Sequence, residues 1–133
     1  MDEERVVMKK VFSTICALML GLSLTACGNT PAFNGSRTGN DKEFIMEYSV
    51  LNTTDGQELV AETGDTINAK IVVKSGSLSI KMQKDDEAPI YEDSGITVSN
   101  EFEVEIDESG TYAITVTGEK AKGSVSFAVE NEQ

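Results

Sequence analysis

The sequence predicts an all-β fold, a single small antiparallel β-sandwich. Three observations carry that expectation. From Phe44 onward, apolar and polar residues alternate one for one, the pattern of strands with one buried face. β-branched residues dominate the apolar set, and no segment of useful length shows the apolar period of a helix. Turn-forming clusters of Gly, Asn, Asp and Ser recur at short intervals, so each apolar run stays short.

The chain opens on a segment of different texture. Met8-Lys9-Lys10 precedes a run from Val11 to Leu24 that is apolar or small apart from Ser13, Thr14 and Ser23, and Thr25-Ala26-Cys27 follows. Charge, apolar run and small-residue cleavage site come in the order of an export signal. The run is shorter than the roughly 20 residues that a spanning helix needs. Leu24-Thr25-Ala26-Cys27 resembles the lipobox of the bacterial lipoprotein family. That resemblance implies a diacylglycerol on the Cys27 sulfur, cleavage between Ala26 and Cys27, and acylation of the new amino terminus. Asp2-Glu3-Glu4 suits a positive n-region poorly, and a start at Met8 gives a cleaner signal. Gly28 differs from the aspartate that resembles an inner-membrane retention signal.

The expected organisation is therefore a signal peptide over residues 1–26, a lipidated cysteine and flexible tether over 27–40, and a β-sandwich domain over 41–133. The tether expectation rests on Gly28 to Asn40, rich in Gly, Asn, Ser and Thr, with Pro31 and a lone Phe33. The first strand follows, with Phe44, Met46, Tyr48 and Val50 on one side. Asn52-Thr53-Thr54-Asp55-Gly56 is expected to turn the chain, and Leu59-Val60 to form a short second strand before Thr63-Gly64-Asp65. Ile67, Ala69, Ile71 and Val73 then alternate with Asn68, Lys70, Val72 and Lys74, and Leu78, Ile80 and Met82 with Ser79, Lys81 and Gln83. Between them, Ser75-Gly76-Ser77 predicts the tip of a hairpin. Lys84 to Ser94, charged and holding Pro89, reads as a loop with at most a short edge strand near Ile90-Tyr91. A brief strand at Ile96–Val98 is followed by the acid-outward alternation of Glu101 to Ile106 and a turn at Asp107–Gly110. Tyr112, Ile114 and Val116 face inward next. Gly118–Gly123 is expected to loop into a last strand with Val125, Phe127 and Val129.

Glu108-Ser109-Gly110-Thr111-Tyr112 resembles the acid-x-Gly-x-Tyr entry to a strand in many β-sandwiches, where the tyrosine hydroxyl bonds back to the backbone. Ile114 stands where antibody domains place a cysteine. With Gly123-Ser124-Val125-Ser126-Phe127, the stretch also looks like the terminal strands of GOLD-type and carbohydrate-binding jelly rolls. Seven to nine short strands are thus expected in an immunoglobulin-like or jelly-roll sandwich.

The net charge is −12. In the leader, Asp2, Glu3 and Glu4 balance Arg5, Lys9 and Lys10, so the remainder carries the whole excess. Such a surface repels nucleic-acid phosphates and anionic headgroups, and no nucleic-acid partner is expected. Histidine is absent, and the only cysteines are Cys16 and Cys27. The usual nucleophilic triads therefore lack their base, and a structural disulfide has no cysteines left to make it. No catalytic residue, cofactor or metal ligand is assigned. Acidic loops offer calcium its oxygen ligands, and Asp85, Asp86, Glu87, Glu92 and Asp93 form such a loop, though without an Asp-x-Asp-x-Asp-Gly array. The acidic stripe Glu101, Glu103, Glu105 suits a soluble sheet surface that resists edge pairing. Asn34-Gly35-Ser36 and Asn52-Thr53-Thr54 match a glycosylation pattern that carries little weight in a bacterial lipoprotein.

The leading expectation is a non-catalytic binding module held by lipid on the outer side of the cytoplasmic membrane, with an envelope protein or glycan as partner. The alternatives are a carbohydrate-binding surface module, with Tyr91 or Tyr48 as the stacking aromatic, and a small hydrolase using paired carboxylates.

Overall fold

The computed structural model describes residues 31–131; the expected signal peptide and Cys27 lie outside them. Among the described residues there are seven strands: β1 (Phe33–Gly39), β2 (Glu43–Leu51), β3 (Thr54–Ala61), β4 (Thr66–Lys84), β5 (Tyr91–Ile96), β6 (Asn100–Glu105) and β7 (Gly110–Glu130). Every pairing is antiparallel, and the described residues contain no helix. The all-β sandwich expected from the alternation is what the chain forms.

Two long strands organise it. β4 and β7 pair from Thr66↔Glu130 to Lys84↔Tyr112. Around one end of this ladder the order is β1-β2-β7-β4-β6, and around the other it is β3-β7-β4-β5. A sheet with one apolar face must bury it against something, and among the described residues the only partner is the sheet's own other half. Bends midway along β4 and β7 carry both strands from one layer into the other, as sandwich corners do.

The bends show in the side chains. Ile67, Ala69 and Ile71 are buried before the bend in β4, and Leu78, Ile80 and Met82 after it. In β7, Tyr112, Ile114 and Val116 give way to Ala121, Val125 and Phe127. The inward parity switches in each strand, and the register shifts at Val73/Ser75 and Ser75/Ser77 absorb the change. Gly76 has φ 75° and Gly123 φ 146°. A Cβ at Gly76 would overlap the carbonyls of Glu119 and Lys120, and one at Gly123 that of Val72. Glycine alone lets the backbones approach so closely there.

Five expectations are corrected. Ser75-Gly76-Ser77 is a bulged bend inside β4, not a hairpin tip, and Gly118–Gly123 is a bend inside β7, not a loop. The positive φ of Gly76 serves a bulge as well as it serves a turn, and both break the alternation; which forms depends on the distant partner strand. Asp55-Gly56 lies within β3, leaving only Asn52 and Thr53 between β2 and β3. Phe33–Gly39 of the expected flexible tether is strand β1, paired with β2 from Phe33↔Leu51 to Gly39↔Phe44. Its polar, glycine-rich composition conceals the strand, because its backbone pairing and one arginine hold it rather than an apolar face. The charged segment after Lys84 does end in an edge strand, but β5 runs on from Tyr91 to Ile96, and no strand covers 97–99.

The core is continuous through both layers. Phe44 and Phe127, cross-strand neighbours, stack at 6.1 Å. Tyr91 of β5 packs on Phe102 of β6 at 4.5 Å, where the two layers meet at one side. Each fully buried Leu, Ile, Met or Phe contributes about 1.5–3 kcal/mol relative to exposure.

Candidate functional surfaces

Because strands alternate, every core residue commits its neighbours to an outer face. On the β1-β2-β7-β4-β6 layer that face is acidic. Glu43 and Glu47 of β2, Glu130 of β7, and Glu101, Glu103 and Glu105 of β6 all point away from the core, with three strand lysines among them, Lys70 beside β6 and Lys74 and Lys122 beside Glu47. Lys70 stands 3.8 Å from Glu101 in an exposed ion pair. Small residues pave the middle, with Ser126 and Ala128 flooring an open trough of about 420 Å³ between Asn68 and the β6 glutamates. The Oδ1 of Asn68 is buried and has no hydrogen-bond partner among the described residues.

The opposite outer face is rich in hydroxyls and carries Glu58, Glu92 and Asp93 against Lys81. Thr54 and Thr117 are register partners whose hydroxyls lie 2.9 Å apart. Ser79 pairs with Thr117, and Lys81 lies between Thr115 and Glu92. Ser79, Thr115, Thr117 and Ser94 line a second open trough of about 500 Å³. Side chains and register thus set a glutamate-rich face and a hydroxyl-rich face on the two layers.

The structure places each residue singled out in the sequence. Cys27 lies outside the described residues. Tyr112 is the expected corner: its hydroxyl donates to the Glu108 carbonyl, and its ring is buried. Lys84 reaches the Glu108 carboxylate from the end of β4, which raises the lysine's pKa chiefly through that hydrogen bond. Desolvation first, then nearby Asp93, raises the Tyr91 phenol. Tyr48 offers no open ring face, at 5% exposed, whereas Tyr91 packs on Phe102 and remains partly exposed. Asp85, Asp86 and Glu87 occupy the turn after β4, with Glu92 and Asp93 on β5. No group of three or more acidic, histidine or cysteine side chains among the described residues is gathered as a metal would require. Glu101, Glu103 and Glu105 do share one exposed face.

Three side chains of these surfaces carried no sequence signal. Arg37 of β1 makes a 2.8 Å ion pair with Asp55 of β3, donates to the Gly56 carbonyl at 2.6 Å, and lies 4.8 Å over the Phe44 ring. It closes the side of the sandwich where β1 and β2 meet β3. Glu43 and Glu47 join the β6 stripe only because β7 and β4 set β2 and β6 on one layer, a juxtaposition no local pattern announces.

No family model and no curated protein matches the chain. Among solved structures, it is similar to PliG of Aeromonas hydrophila, a periplasmic lysozyme inhibitor of g-type lysozyme. The identity is 18% and the TM-score 0.45, over 77% of this chain and 91% of that one. It is also similar to TmCBM61, solved in complex with beta-1,4-galactotriose, at 17% identity and TM-score 0.36, over 73% of this chain and 66% of that one. Both likenesses are remote, and neither assigns a role to a residue of this chain.

Proposed function

We propose that the chain is a lipid-anchored, extracytoplasmic binding module, non-catalytic, with a β-sandwich that docks an envelope partner. The anchor reading is carried by Leu24-Thr25-Ala26-Cys27 behind its apolar run, since only a thiol accepts the thioether-linked lipid. Two acyl chains give stable membrane attachment where one is marginal. The docking reading is carried by the six glutamates that share one outer face. Glu43, Glu47, Glu101, Glu103, Glu105 and Glu130 outnumber Lys70, Lys74 and Lys122 there, which favours a basic protein surface over nucleic acid or anionic lipid.

Affinity capture from native membranes, with the lipidated protein as bait, tests this reading. A basic envelope protein is expected to be retained at low salt, and Glu101→Gln/Glu103→Gln is expected to lower its retention severalfold. Capture that ignores both the variant and the salt concentration contradicts it.

A second reading, a glycan partner, is favoured by one observation: the hydroxyl-lined trough around Thr54, Ser79, Thr115 and Thr117, with Glu92 and Asp93 at its side. Glycan-array binding that disappears in Thr115→Val/Thr117→Val and survives Glu101→Gln/Glu103→Gln would place this reading first.

A further inference from the structure

We propose that β1 is a releasable strap, latched by Arg37, that sets how far the sandwich can stand from its lipid anchor. The proposal rests on the anchor reading at Cys27. β1 is an edge strand whose only strand partner among the described residues is β2. Phe33 is partly buried and the remaining six residues of the strand are exposed. Asn34-Gly35-Ser36-Arg37-Thr38-Gly39 contributes no apolar side chain, and its glycines weaken a strand further. The ladder is also interrupted between Asn34 and Gly35. β2, by contrast, keeps its pairing with β7 and its own core residues if β1 leaves.

What grips β1 from the rest of the molecule is concentrated in one side chain. Arg37 bridges from β1 to β3 through the Asp55 carboxylate and the Gly56 carbonyl, and its guanidinium lies over Phe44. The ion pair is about one-third exposed on both sides, so water and salt compete for it. A strand with one partner, one buried foothold and one solvent-accessible latch opens before the strands of a shared core.

Release changes reach. With β1 docked, the chain from Cys27 to Phe33 spans at most about 20 Å, and with β1 free the span from Cys27 to Glu43 is at most about 55 Å. The docked form keeps the module close to the bilayer, and the released form lets it meet a partner farther out.

Hydrogen–deuterium exchange on the full chain extracted from membranes tests the strap. The β1 amides are expected to exchange about 100-fold faster than those of β4 and β7. Arg37→Gln and, independently, Asp55→Asn are expected to speed β1 by about a further five- to tenfold while leaving β4 and β7 unchanged. β1 exchanging in step with β4 and β7, or variants that loosen every strand together, would overturn it. Exchange does not depend on lipid, whereas the mass of the Cys27 peptide does, so failure of the strap and failure of the anchor reading are told apart.

Discussion

Tyr48 stands in the core between Gly35 of β1 and Gly123 of β7, with a hydroxyl that finds no partner among the described residues. Burial pushes its phenol up to about 12. A buried donor without an acceptor costs about 1–3 kcal/mol, so Tyr48→Phe should raise the urea midpoint, by about 1 kcal/mol of stability. Tyr112→Phe makes the same chemical change with the opposite sign, because it deletes the bond to the Glu108 carbonyl, and about 1 kcal/mol should be lost. The Tyr48 pKa also fixes an alkaline limb. Its proton is held more tightly in the folded chain than in the unfolded one, so its contribution is complete below pH 10 and is lost as pH rises through about 12. Stability should fall by about 1.4 kcal/mol per pH unit across that window, and Tyr48→Phe should flatten the fall. Tyr112 was legible in the sequence, since acid-x-Gly-x-Tyr is a local pattern with a local bond. Arg37 was not: its partners Asp55 and Phe44 come from other strands, and nothing around it marks it.

At the level of elements, the alternation located the faces of β2, β4, β6 and β7 because burial on one side is written into successive residues. Continuity was hidden. A Ser-Gly-Ser triplet between two alternating runs of opposite parity reads equally as hairpin or bulge, and only β7 lying alongside both halves of β4 decides for the bulge. β1 was hidden for the complementary reason, as it buries almost nothing. The bends make a discriminating prediction. Gly76→Ala meets both positive φ and the carbonyls of Glu119 and Lys120, whereas Gly64→Ala, at φ 96°, meets open space. The conformation alone costs about 1–2 kcal/mol, so Gly64→Ala should lose that much and Gly76→Ala distinctly more in thermal unfolding. Equal losses would mean that the close strand crossing is not a constraint.

At the largest scale, the described residues form one core enclosed by a sheet that folds over itself, and its outer faces inherit whatever the core leaves over. Phe127 is fully buried at the centre of that arrangement, stacked on Phe44. Phe127→Ala should cost about 3–5 kcal/mol, a large share of a small domain's net stability, and chemical denaturation should show both layers melting in one transition. The charge of −12 was plain in the composition, but the gathering of six glutamates on the β2-β7-β4-β6 face needed the strand order. The proposed role depends on where this acidic module is held. Intact and peptide mass measurement on protein extracted from the membranes of expressing cells tests that most directly. A chain beginning at residue 27, with a diacylglycerol thioether on its cysteine, is the predicted result; a bare thiol there, or a chain still carrying its apolar leader, would contradict it.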